Sequence, residues 1–434
     1  MSRIRLVLLS LVVAGMSLGV AACGSSSDSS STSGTSGGGA TSLDLTIGDL
    51  VPLTGDLSDF GPPGDKAAQV AVAQINDAIK QTGDDHTVTL KTEDDQTSDQ
   101  AGVSAARKLV SDGASCIAGS WASSVSIPVA RSVSIKEGVL QISPASTSDE
   151  ITPLDDNGLM NRTAPPDSFQ GPTLADAIAK DLGGADGKTV NIGARNDSYG
   201  TGLAKTFSDA WEGLGGTVGE QVIYDPEAAT YDSEAQKITS GSPDATVIID
   251  FPETFAKVGP ALVRTGNYDP TTTWGTDGLA SSSLPKDVGT DATEGFRGTA
   301  PGSPDKDATA QAFDELYTSS EPKDVARQTF DSQNFDAVML CYLAAVAAGS
   351  TDGQAMADKV RDVSAPPGDP FTFEQLPEAI KALENGQDID YQGASGAIDM
   401  DENGDATAGV YDIYEYKDAA ISIIGEQPVD TGGG

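Results

Sequence analysis

Residues 115–128 read Ser-Cys-Ile-Ala-Gly-Ser-Trp-Ala-Ser-Ser-Val-Ser-Ile-Pro. The apolar run Cys116 to Ala118 reads as a buried strand, Gly119 permits a turn, and an Ala/Val-rich helix is expected from about Ser124 to Lys136. A strand ending in a Gly/Ser turn at a helix start leaves unpaired backbone N–H groups and the positive end of the helix dipole facing one spot. Such a spot suits a carboxylate. Ser123 has a second reading, as an ordinary helix cap. The rest of the chain must choose between the two.

Other chemistry is thin. His86 is the only histidine, and in Asp84-Asp85-His86 it is expected on a surface turn. A Ser-His-Asp triad or a His-based metal site therefore has little to draw on. No Walker-type loop or strand-linked GxGxxG stands out. Asp399-Met-Asp-Glu-Asn-Gly-Asp405 resembles the opening of a calcium loop, but Val410 stands where a bidentate Glu is required. Asn403-Gly404 reads instead as a β-hairpin turn. No catalysis, cofactor or metal is expected.

The N-terminus carries Arg3 and Arg5, an apolar run from Leu6 to Val20, and then Val20-Ala21-Ala22-Cys23-Gly24. A basic start, a short apolar run and small residues before the break describe a secretory signal. Small residues directly before a Cys resemble a bacterial lipobox, which implies removal of residues 1–22 and acylation of Cys23. Residues 23–43, almost wholly Ser, Gly and Thr after the Cys, form a flexible tether. The expected location is extracytoplasmic, anchored to the membrane by lipid. The net charge of −39, from 65 acidic and 26 basic residues, repels nucleic acid and excludes it as a partner. With Cys23 acylated, Cys116 and Cys341 remain as an even pair where disulfides are permitted. A bridge stays open, but two buried free thiols are the expectation, because unpaired cysteine is among the most buried residue types.

These residues need a scaffold. Strands are expected at Leu45–Val51, Thr87–Lys91, 115–119 and Gly138–Ile142, alternating with helices at Lys66–Lys80 and from a Thr97/Gln100 capping box to about Ser111. After Pro166 the alternation restarts with strands at Thr189–Ala194, Val218–Tyr224, Ala245–Phe251 and around Trp274. Helices are expected between them at about 202–213, 231–239 and 253–265, then at 307–318, 332–348, 352–362 and 373–384. Ser395–Ile398 is expected to pair across Asn403-Gly404 with strands near 408–416 and 419–424. Such alternation predicts an α/β fold, with two doubly wound parallel-sheet lobes around a cleft.

Seven ordered motifs resemble the branched-chain amino-acid type of solute-binding protein, which has the type I periplasmic-binding-protein fold. They are Pro52-Leu-Thr-Gly55 with Phe60-Gly61, the Gly119-to-Pro128 turn, Ile142-Ser-Pro-Ala-Ser-Thr147, Asp197-Ser-Tyr-Gly200, Gly275-Thr-Asp-Gly278, Glu294-Gly-Phe-Arg-Gly298 and Asn334-Phe-Asp-Ala337. The likeness spans 44 to 425. It implies three crossovers near 163, 299 and 409, with lobe 1 formed by 44–163 plus 299–409 and lobe 2 by 164–298 plus 410–425. Residues 426–434 are then a tail.

The resemblance also implies roles. Ser123, Ala145 and Thr147 would hold a ligand carboxylate, and Asp277, helped by the Ala145 carbonyl and the Thr147 hydroxyl, would hold an ammonium. Tyr199 would close over the ligand beside Phe251, while Phe60 and Trp121 line a side-chain pocket. Each has a plainer reading: Asp277 as a turn former, Tyr199 as a helix-entry residue, Trp121 and Phe251 as core aromatics. Two positions depart from the family pattern, since Trp121 replaces a smaller aliphatic residue and Asp277 is one methylene shorter than the common Glu. The implied partners are a small amphoteric solute, most simply an amino acid, and an ABC permease, with the chain itself a monomer. A ligand sensor, or a binder of urea, short amides or aromatic acids, is the alternative.

Overall fold

The computed structural model describes residues 42–304 and 307–430, so the expected signal, Cys23 and nearly all of the tether lie outside them. Two sheets organise the chain. The first is wholly parallel, in the order β2-β1-β3-β4-β5: β1 Leu43–Val51, β2 His86–Asp94, β3 Ala114–Gly119, β4 Leu140–Ser143 and β5 Met160–Arg162. The second runs β15-β14-β10-β9-β8-β6-β7. Its parallel part comprises β6 Thr189–Arg195, β7 Thr217–Tyr224, β8 Ala245–Ile249, β9 Thr273–Gly275 and β10 Arg297–Pro301. The antiparallel strands β14 Ala408–Lys417 and β15 Ala420–Asp430 complete it. Every residue of β8 is buried, as expected of a strand covered by helices on both faces.

The chain serves the first sheet, then the second, and returns to the first before ending in the second. On the return, the helices Ala308–Ser319, Asp331–Ala348, Gly353–Ser364 and Leu376–Glu384 join one apolar core with β1, β3 and β4. The second crossing follows Pro301, because Arg297–Pro301 pairs along its whole length with Glu415–Tyr411 of β14. Helix Asp331–Ala348 is buried on nearly all sides, the pattern of a central core helix.

Several local expectations are overturned. Cys116 and Cys341 form a disulfide, not two free thiols. They are 225 residues apart, and only the seating of the core helix on β3 brings them together. His86 is buried, with Nδ1 3.0 Å from the Tyr342 hydroxyl. It opens β2 opposite Leu43 and alternation turns it inward, so the surface turn ends before it. The first helix begins at Gly61 rather than Lys66, because Pro62 and Pro63 occupy first-turn positions where no N–H is needed. No capping box forms at Thr97: its backbone is left-handed and its hydroxyl accepts from the Leu57 N–H. The strands near 395 are also different. A small sheet joins β11 Asp369–Thr372, β12 Ile389–Gly393 and β13 Gly396–Ala397, so β13 pairs with β12 and not with β14. Met400 and Ala406 bridge across the Asn403-Gly404 turn. β15 continues through Asp430, taking residues expected in the tail.

Candidate functional site

The parallel strands of both sheets end on one cleft, the usual ligand position in open α/β folds. The turns after β3 and β4 form its first wall. Ser123 is the first residue of a helix whose N-cap is Ala122, and its side chain makes no capping bond. Its oxygen instead accepts the Ser148 N–H at 3.2 Å, which leaves its own proton free to donate. A serine network sets the two turns. The Ser120 carbonyl accepts from Ser126 Oγ at 2.8 Å and Ser143 Oγ at 2.5 Å, and Ser146 Oγ donates to the Trp121 carbonyl at 3.0 Å. Arg162, fully buried, donates to the Ser148 carbonyl at 2.9 Å and to Asp405 at 2.7 Å, bracing the second turn against the loop before β14.

The second wall is charged and aromatic. Tyr199 donates to Asp277 Oδ1 at 2.8 Å and lies 2.7 Å from Thr276 Oγ1. Its ring stacks on Phe251 with centroids 5.1 Å apart, and the Arg195 guanidinium lies 3.7 Å over the other ring. Gly278 must be glycine-like here, since a Cβ would stand 2.5 Å from the Asp250 carbonyl and 2.8 Å from Phe251. Burial pushes the Asp277 carboxyl up to about 6, opposed by hydrogen bonds from Tyr199 and Gln170. No Lys, Arg or His pairs with Asp277 among the described residues. Burial alone would lower Arg195, but Asp197, Asp250 and Asp56 outweigh it and hold the guanidinium charged.

Phe60, Trp121, Ser123, Ala145, Tyr199, Phe251 and Asp277 line one cavity between these walls. Thr147 does not line it: it is buried one step behind, where its carbonyl accepts the Asp167 N–H at 2.7 Å. The cavity is small, about 10 Å³, roughly room for one water. The halves meet around it. Asp56 accepts from Arg195 at 2.9 Å and Thr254 at 3.1 Å, and Asp59 accepts from Ser281 and Ser283.

Sequence reasoning missed Leu57 and Phe330, which line the same cavity, and Asp167. Asp167 is fully buried, and burial raises it well above the ordinary carboxylate range, although the Thr147 hydroxyl is near enough to favour its charge. It opens helix Asp167–Leu182, an element not expected from the sequence and one that contains Pro172 in its interior. An acid directly after Pro165-Pro166 was the signal available.

The sequence pattern of the family described as "Periplasmic binding protein" matches residues 44–420. The chain belongs to that family. Members act outside the cytoplasmic membrane as solute-binding proteins. A relative named Leu/Ile/Val-binding protein homolog 3, from Brucella melitensis, is 29% identical over 88% of this chain and 94% of its own length. The Leu/Ile/Val-binding protein BraC3 of Rhizobium johnstonii is 28% identical over 87% and 93%. Among solved structures, a leucine-binding protein from Thermotoga maritima superposes with a TM-score of 0.71 at 23% identity, over 88% of this chain and 98% of that one. The likeness shows the type I fold of this periplasmic binding protein.

Proposed function

We propose that this chain captures a small amphoteric solute, an amino acid of the branched-chain aliphatic class, and delivers it to an ABC permease. The observation that carries the reading is Asp277, a buried carboxylate without a cationic partner among the described residues, across the cavity from an uncharged turn where Ser123 keeps a hydroxyl proton to donate. A zwitterion answers both walls: its carboxylate meets Ser123 and the turn at Ala145, and its ammonium meets Asp277 and the Tyr199 side. The names of the relatives agree with that class. The two sheets with their helices act as lobes that part and close about the three crossings, a hinge motion that dries and strengthens the polar contacts. Cys23 carries the lipid that holds the chain at the membrane, and the chain works as a monomer without turning its ligand over.

Aromatic acids are the second reading. The cavity is walled by aromatic rings, and a solute-binding protein of the same fold from R. palustris was solved with benzoate. An acid lacking an ammonium would leave Asp277 buried against it uncompensated, which disfavours that reading. Calorimetry on ligand-stripped protein tests both. Leucine, isoleucine or valine is expected to bind with a heat signal, while urea and benzoate give none. A signal from urea or benzoate, with silence from every amino acid, sinks the zwitterion pocket.

A further inference from the structure

An amino acid needs more room than one water, so the cavity must widen around it, by parting of the two halves together with the yielding of any wall that has room behind it. Most walls have solid backing. Trp121 is seated on Gly64, where even a Cβ would lie 2.2 Å from its ring. Tyr199 is held by Asp277 and Thr276, and Phe251 is sandwiched between Tyr199 and Arg195. Phe60 is buried in the core beneath.

Phe330 differs. Its ring meets Trp121 edge-on at 6.2 Å, and the residue, though packed in the same apolar core as Phe60 and Trp121, lines both the inner cavity and a second, larger space. That outer space is about 380 Å³, against about 10 Å³ inside. Ser303, Gln311, Gln328 and Gln333 give it a polar lining. The backbone of Phe330 is left-handed, with φ of 73°, a conformation that a bulky residue adopts only when its surroundings impose it. The imposing contacts are visible. Thr329 Oγ1 donates to the Ala280 carbonyl at 3.3 Å, Gln328 donates to Ser282 Oγ at 2.8 Å, and Asp331 opens the core helix immediately after.

We propose that Phe330 is the partition between two cavities and the residue that sets the size limit of the ligand side chain. It is the wall with room behind it. In place, it limits the room that the inner pocket can gain around a ligand to that of a short aliphatic side chain; turned aside or shortened, it joins that pocket to the outer cavity and admits longer ones. The inference rests on the amino-acid reading for its choice of probes, although not for its geometry.

The test is calorimetry of the full chain and of Phe330→Ala, Phe330→Gly and Phe330→Leu with valine, leucine, methionine and phenylalanine. The Ala and Gly variants are expected to lose about tenfold for valine and gain about tenfold or more for phenylalanine, with Leu intermediate. Phe330→Gly removes the backbone strain, so it guards against a result that reflects misfolding alone. A uniform loss across all four amino acids, or an unchanged rank order, overturns the assignment. Silence of the wild type to all four defeats the ligand reading instead. The partition is then decided by a crystal structure of Phe330→Gly, in which one continuous cavity supports it and collapse of neighbours into the space refutes it.

Discussion

The two walls of the cleft differ in how they carry charge. The wall after β3 and β4 presents no charged side chain to the cavity, only Ala122, Ser123, Ala145 and their backbone, drawn into place by a serine network. The wall after β6, β8 and β9 presents one carboxylate, Asp277, oriented by Tyr199 and backed by Phe251 and Arg195. On the proposed reading, an anion would be met by weak neutral donors, whereas a cation would be met by one strong partner. Losing a group should be shared out on the first wall and concentrated on the second.

Asp277→Ala should break this asymmetry most severely. Truncating one partner of a buried charge pair leaves the other stranded, so amino-acid affinity is expected to fall about hundredfold or more by calorimetry. An unchanged Kd removes Asp277 from the site.

Acid should sharpen the contrast next. The Asp277 carboxyl lies near 6, above its ordinary value, so the proton competes with the ammonium below that pH. Affinity should be level above about pH 6.5 and weaken toward about tenfold per unit below about 5.5, and Asp277→Asn should flatten the curve. The sign for folding is reversed. A raised carboxyl binds its proton more tightly when folded, so its contribution to stability grows as pH falls through 6 toward 4. Weak binding at pH 5 with an undiminished melting temperature is therefore the expected pair of results.

Ser123→Ala removes one donor among several. The expected loss is about tenfold, with little dependence on pH. A loss matching that of Asp277→Ala would show that the first wall is not distributed after all.

The smallest effect belongs to the rim. Asp56 and Asp59 sit on the loop that also brings Leu57 and Phe60 to the cavity, and they bond the opposite half. Asp56 is partly exposed, so Asp56→Asn should weaken binding only about two- to fivefold, through faster release, and less in high salt. Stopped-flow release kinetics in low and high salt would read this directly.

What could be read along the chain was local. Apolar runs specified most of the parallel strands, though not β5, β10, β11 or β12, and the Gly/Ser turn after β3 announced donors at a helix start, because both depend on residues a few positions apart. The order of the seven motifs carried the family and with it Tyr199 and Asp277. Position 330, by contrast, shows only a Thr-Phe-Asp segment. Its role arises when the chain recrosses after Pro301 and lays the start of the core helix against Trp121. The Cys116–Cys341 bridge and the pairing of Arg162 with Asp405 likewise join residues more than two hundred positions apart. The sequence by itself determined most of the strands of the two large sheets, the turns at their ends and the donor chemistry those turns carry. Only the tertiary structure decided which distant side chains close the cavity, since burial, partner and room behind a wall are properties of the packed molecule.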